Sequence, residues 1–205
     1  MGADGDLPPD WKPERVIDGK DYLCLPGLIN CHTHAAMTLL RSYADDMPLK
    51  AWLEDKIWPI EDRLTPEDVY WGTMLAILEM IESGTTTFSD MYFFVGQTAE
   101  AVEKSGIRAR LARGLVGTGP QGESGLLDSK ELLERWQGAA NGRVSIWLGP
   151  HAPYTCPPDY LEEVLKLAQD FKAGIHIHVA ETAAEVQQIE DLYGKTPVRY
   201  LKDCG

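Results

Sequence analysis

Five histidines, His32, His34, His151, His176 and His178, carry most of the chemistry open to this sequence. Two pairs read His-x-His. His32-Thr33-His34 follows Leu23-Cys24-Leu25-Pro26-Gly27-Leu28-Ile29-Asn30, and His176-Ile177-His178 follows Gly174-Ile175. Side chains two apart on an extended chain share a face, so each pair presents both rings to one side. Imidazoles gathered at strand ends suit zinc and its neighbours. Glu181, just beyond His178, adds a carboxylate placed to move protons beside such a centre. One His-x-His alone reads more readily as polar loop residues; two of them with a nearby glutamate favour a metal site. His176 reads better as a ring packed behind that centre than as a ligand. Cys31 abuts His32, but a cysteine in an apolar run is more often a small hydrophobe. His151, between Pro150 and Pro153 in a rigid turn, suits a donor facing a substrate.

These residues need elements that bring them together. Tyr22 to Asn30, Thr85 to Tyr92, Ile107 to Val116, Val144 to Leu148 and Gly174 to Val179 read as strands, each followed by a helix signal. Thr65-Pro66-Glu67-Asp68 opens one helix, with Thr65 as N-cap and a buried stripe of Val69, Met74, Leu75, Ile77, Leu78 and Ile81. Asp128 and Glu131 read as a capping box, Pro158-Asp159 as another start, and Thr182 with Glu185 as caps of a further helix. Buried, non-alternating strands between helices predict a parallel sheet. All the histidines fall at or just past strand ends, the active-site face of a (β/α) barrel. The expected fold is therefore α/β, a (β/α)8 TIM-type barrel of which this chain supplies about the first five β/α units. An open doubly wound sheet competes poorly, because no GxGxxG follows the first strand.

Composition narrows the function classes. The chain has 205 residues, 19 Lys plus Arg against 32 Asp plus Glu, and a net charge of −13, which argues against a nucleic-acid backbone binder. An apolar share of 44% with 25% charged residues is ordinary for a globular domain. No window approaches the ~18 consecutive apolar residues of a membrane span. The acidic, Pro-rich start shows no secretory signal, and Asp6 breaks a myristoylation pattern. Four scattered cysteines without a CxxC fit reduced thiols and a cytoplasmic location.

The run Pro26-Gly27-Leu28-Ile29-Asn30-Cys31-His32-Thr33-His34 resembles the PGxxxxHxH signature of the amidohydrolase superfamily. The resemblance continues through Trp52-Leu53, Pro59-Ile60-Glu61-Asp62-Arg63, Gly84-Thr85-Thr86-Thr87, Asp90-Met91-Tyr92, Gly149-Pro150-His151-Ala152-Pro153-Tyr154 and His178-Val179-Ala180-Glu181-Thr182. It looks like the branch containing 5-methylthioadenosine/S-adenosylhomocysteine deaminases, with chlorohydrolases as near relatives. It implies a metal-dependent hydrolase fold with metal ligands at His32, His34 and His178 and a catalytic glutamate at Glu181. Substrate contacts are implied at Trp52, Glu61, Arg113 and His151. It further implies one divalent ion, zinc first, with iron, manganese or nickel as alternatives. The fourth strand has no lysine of the kind that bridges two metals in binuclear members.

The implied reaction is hydrolytic deamination of an adenine-type nucleoside: 5-methylthioadenosine, S-adenosylhomocysteine or adenosine. The alternatives are a chlorohydrolase or aminohydrolase acting on a triazine, pyrimidine or guanine ring, and an inactive fragment lacking the later ligands. Against the family pattern the chain lacks the later strands with a further His and a metal-binding Asp. Most of a β-sandwich lobe is also absent, so residues 1–24 are expected to be a tail with a remnant of that lobe and 25–205 a partial barrel. A second substrate-binding arginine has no counterpart in the Gly-rich stretch from Gly117 to Leu127. Expected partners are a nucleoside-like small molecule and, by resemblance only, a second copy of the chain; no nucleic acid and no membrane are expected.

Overall fold

The computed structural model describes residues 10–117 and 121–205. Residues 10–29 are exposed, and the first strand, β1 (Leu28–Thr33), begins only where Thr85 of the next strand becomes available as a partner. The sequence reading started this strand at Tyr22; before Leu28 the described chain has no ladder to join. A 3-10 turn over Ala35–Leu40 follows β1 directly. Two single-turn helices, α1 (Leu49–Trp52) and α2 (Trp58–Glu61), flank a wide turn at Leu53–Ile57.

The first long helix, α3 (Pro66–Glu82), starts at a complete capping box. The Thr65 hydroxyl oxygen accepts from the Asp68 amide at 3.3 Å, and the Asp68 carboxylate accepts from the Thr65 amide at 2.8 Å. Its buried face is Val69, Gly72, Thr73, Ala76, Ile77 and Met80, at the i, i+3, i+4, i+7 spacing of one helix side. The apolar stripe read from the sequence is corrected here: Leu75, Leu78 and Ile81 are 39%, 54% and 50% exposed. Backbone approach decides the face. A Cβ on Gly72 would lie 2.5 Å from the Ala36 carbonyl oxygen, so only the small-residue side fits against the 3-10 turn. The Thr38 hydroxyl donates to the Gly72 carbonyl at 2.7 Å and closes that contact.

The remaining elements alternate: β2 (Thr85–Tyr92), α4 (Val95–Ser105), β3 (Arg108–Leu115), α5 (Gln121–Trp136), a short turn α6 (Ala139–Gly142), β4 (Val144–Pro150), α7 (Pro158–Phe171), α8 (Ala183–Tyr193) and α9 (Pro197–Cys204). The capping box read at Asp128 and Glu131 is not there. Both lie inside α5, which starts at Gln121 and buries the small residues Gly122, Gly125 and Ser129 with Leu133 and Trp136. Small residues that read as a loop are instead the close-packed side of a helix. Within the Gly117 to Leu127 stretch, residues 118–120 lie outside the described residues.

The four strands form one parallel sheet in the order β1-β2-β3-β4. Chain order equals spatial order, so there is no reversal point of the kind that defines a doubly wound sheet. The fifth expected strand is reduced to one bridge, Leu148 to Ile175. The segment still lies alongside β4. The Leu148 amide donates to the Gly174 carbonyl at 2.9 Å, the His176 amide to the Leu148 carbonyl at 2.8 Å, and the His178 amide to the His151 carbonyl at 3.0 Å.

Phe88, Ala109, Leu111, Val144, Ile146 and Leu148 are buried together under the helices. Their neighbours Ser89, Arg110, Ser145 and Trp147 occupy the other face, half-buried or exposed, with the Arg110 guanidinium 4.6 Å from the Trp147 ring centroid. The strands therefore alternate more than a sheet buried on both faces would.

Candidate active site

His32 on β1, His34 just after it, and His178 on the segment beyond β4 come together although 146 residues separate the first from the last. One ring nitrogen from each lies within 4.8 Å of the others. Ring centroids are 5.4 Å apart for His32 and His34, 5.0 Å for His32 and His178, and 5.3 Å for His34 and His178.

Two of the three rings are aimed by the backbone around them. His34 Nδ1 lies 2.7 Å from the Met91 carbonyl oxygen and His178 Nδ1 lies 3.0 Å from the His151 carbonyl oxygen. A carbonyl can only accept, so both Nδ1 atoms carry the proton and a neutral ring leaves Nε2 as a bare lone pair. His178 Nε2 sits 3.1 Å from His32 Nε2. Two ligands of one tetrahedral zinc at its usual Zn–N length would stand about 3.3 Å apart. The separation and the donor type therefore fit a shared divalent ion. Cys31, weighed as a ligand from the sequence, is exposed and outside this group.

His151 borders the cluster, its ring centroid 5.2 Å from that of His178. Its Nδ1 is 3.1 Å from the Thr155 hydroxyl, which also bonds the amide and carbonyl of Ala152. Burial, then the neighbouring His178 and His34, pushes His151 down to about 4, which keeps the imidazole neutral near pH 7. His176 is half-buried, with Nδ1 3.4 Å from the Ser89 hydroxyl. Burial first, then the other imidazoles, lowers its pKa.

Glu61, at the end of α2, reaches the same neighbourhood through Tyr92. The Tyr92 hydroxyl donates to Glu61 Oε1 at 2.7 Å, and the Tyr92 ring centroid is 6.4 Å from that of His34. Burial raises the Glu61 pKa, opposed by the Tyr92 hydrogen bond and by His34. Arg113 on β3 is 17% exposed; its guanidinium lies 3.5 Å from the Asp128 carboxylate and 5.3 Å from the Phe93 centroid. Taken alone, both charges read from sequence as solvated surface groups; neither is one. Trp52 is half-buried, and its indole N–H donates to the Ala44 carbonyl at 2.9 Å rather than to the cluster. The Glu181 side chain is exposed, and its amide donates to Glu185 Oε2 at 2.8 Å.

A model of the amidohydrolase family matches residues 23–205. The chain belongs to the amidohydrolase family. Among amidohydrolase relatives, a protein named 5-methylthioadenosine/S-adenosylhomocysteine deaminase from Syntrophomonas wolfei subsp. wolfei is 62% identical over 197 residues, covering 96% of this chain and 46% of that protein. One of the same name from Pelotomaculum thermopropionicum is 58% identical over 205 residues, covering 100% and 47%. This amidohydrolase chain thus spans about half the length of the relatives it matches. A solved adenosine deaminase from Xanthomonas campestris with bound zinc superposes with a TM-score of 0.82 at 37% identity, covering 88% of this chain and 42% of that one. A zinc complex of atrazine chlorohydrolase from Arthrobacter aurescens gives 0.78 at 25% identity, covering 88% and 46%. The sheet in chain order is accordingly the first part of an amidohydrolase (β/α) barrel.

Three residues that position this amidohydrolase site were not singled out as such from the sequence. Asp90, 2% exposed, accepts at Oδ1 from the Thr33 hydroxyl at 2.7 Å and from the Ala35 amide at 2.6 Å, bracketing His34. Tyr92 holds Glu61. Glu185, 4% exposed, was read only as a helix cap. A carboxylate in the middle of an expected buried strand, as Asp90 is, was the available signal, since a buried acid requires partners.

Proposed function

We propose that this chain supplies the metal-binding half of a hydrolytic deaminase for adenine nucleosides of the 5-methylthioadenosine and S-adenosylhomocysteine type. The observation that carries the proposal is the convergence of three imidazoles from separate elements, two of them with Nδ1 fixed on carbonyl oxygens. His32, His34 and His178 would hold one divalent ion, zinc by donor type. When bound, such an ion acts as a Lewis acid and makes water a nucleophile near neutral pH.

The chain's own groups divide the remaining work. Glu181 gives a proton to the purine ring nitrogen beside the carbon under attack, takes one from the attacking water, and passes it to the departing ammonia. His151, neutral and with Nδ1 held on the Thr155 hydroxyl, presents Nε2 to a polar atom of the purine. Glu61 keeps Oε2 for the ribose hydroxyls while Tyr92 occupies Oε1. Trp52 offers an apolar wall, and Arg113 borders the far side of the substrate. Residues 25–205 are read as a partial (β/α) barrel of the catalytic domain and 1–24 as a tail with a remnant of a β-sandwich lobe. No helix among the described residues is long and apolar enough to cross a membrane.

The test is zinc loading of the protein at its full length, followed by incubation with 5-methylthioadenosine, S-adenosylhomocysteine and adenosine. Ammonia release that tracks zinc content, and that falls at least ~100-fold in Glu181→Gln with zinc retained, is expected. Release of chloride from a chlorotriazine without ammonia from any nucleoside would replace this substrate assignment. Failure of the folded chain to bind zinc would remove the metal centre.

A further inference from the structure

We propose that Glu185 is a positioning residue that fixes the backbone of Ala180 and Glu181, and so sets the Glu181 carboxyl against the histidine centre. The inference rests on the deaminase reading above for the role of Glu181.

Asp90 and Glu185 are the two buried carboxyl side chains among the described residues. Glu185 lies in the first turn of α8, and its two oxygens each take one amide: Ala180 at 2.9 Å and Glu181 at 2.8 Å. Helix capping does not account for that reach. The cap of α8 is Thr182, whose hydroxyl accepts from the Glu185 amide at 3.1 Å. A capping box would return the glutamate to the amide of Thr182; here it bonds the two residues before it. Ala180 has φ of +56°, a left-handed conformation that a residue with a side chain holds only when its surroundings fix it. Beyond His178, whose amide bonds the His151 carbonyl, the chain turns away from β4. The Glu185 carboxyl spans that departure and returns the chain into α8.

Glu181 is exposed, so packing does little to place it. Its reach to a substrate atom is set by where its Cα sits. A displacement of about 1 Å at a reacting group is enough to cost on the order of 100-fold in rate.

Wild type, Glu185→Ala, Glu185→Gln and Thr182→Ala are compared in two assays. Amide hydrogen exchange needs no ligand: Ala180 and Glu181 should exchange about tenfold faster or more in Glu185→Ala. Glu185→Gln, which keeps one acceptor oxygen, should release one of the two amides, and it carries the test if the alanine variant does not fold. Thr182→Ala should lower the melting temperature through loss of the cap yet leave both amides protected. In the zinc-loaded chain, Glu185→Ala should lose about 10- to 100-fold in kcat with KM within about 2-fold, and Glu185→Gln should lose less. Unchanged protection at both amides in the Glu185 variants overturns the proposal, as does an equal loss of kcat in Thr182→Ala. If zinc-loaded wild type releases no ammonia from any adenine nucleoside, the deaminase reading fails while exchange still decides whether Glu185 holds the segment.

Discussion

Both the amide and the ring Nδ1 of His178 reach the carbonyl oxygen of His151, each at 3.0 Å. One acceptor thereby fixes the position and the rotation of the imidazole, and it does so from the turn that carries another site histidine. His178→Ala should reduce zinc from about one ion per chain to near none, by elemental analysis after gel filtration, because a three-imidazole set loses a full ligand. His176→Ala should keep the ion. The reverse outcome would move the third ligand to His176.

Asp90 brackets His34 through Thr33 and Ala35. Groups that orient ligands from behind typically carry a 10- to 100-fold effect on metal affinity. Asp90→Ala should weaken zinc by about that factor in chelator competition and cost about 1–3 kcal/mol in urea unfolding, because buried donors lose their acceptor. Asp90→Asn keeps an acceptor oxygen and should fall between it and wild type. Equal zinc affinity for all of these proteins would sever the link between Asp90 and the ligands.

Burial holds the Glu61 carboxyl above its usual range. The native chain therefore binds that proton at higher pH than the unfolded chain does. The stability Glu61 contributes is full below the unfolded value of about 4.5 and is lost as pH rises through the native value. Glu61→Gln never ionises and can still accept from the Tyr92 hydroxyl. Its stability relative to wild type should rise between acidic and neutral pH, while ribose-dependent turnover falls. A stability difference independent of pH would show that the carboxyl is not strained by its burial.

Gly149 lets β3 and β4 approach just before His151. A Cβ there would lie 2.5 Å from the Arg113 carbonyl oxygen. Gly149→Ala should cost about 1–3 kcal/mol in urea unfolding through overpacking against fixed backbone. A neutral effect would mean that the strands separate freely at this point.

The barrel frame and the convergence of three imidazoles were legible in the sequence for one reason: His32, His34 and His178 sit at or just past strand ends, where period and position coincide. Thr65 and Asp68 were legible because a cap is a local contract among four residues. What could not be read depends on contacts distant in the chain. The buried side of α3 follows from Gly72 meeting Ala36, and Asp128 falls within α5 because glycines pack where they read as a loop. Asp90, Tyr92 and Glu185 show the same limit. Their residue types were visible, but a carboxyl's partners fix its role, and those come from Thr33, Ala35, Glu61, Ala180 and Glu181 only after folding.

Side by side and flat, the four strands and the segment at Ile175 would place the first and last members about 19 Å apart. Yet His32 and His178, from those two outermost members, stand 3.1 Å apart at Nε2. The sheet must therefore curl until its two margins face each other, and a cation held between them would act as a clasp. Loading it would tighten the whole arc, so resistance to heat would rise with occupancy, each a gauge of the other.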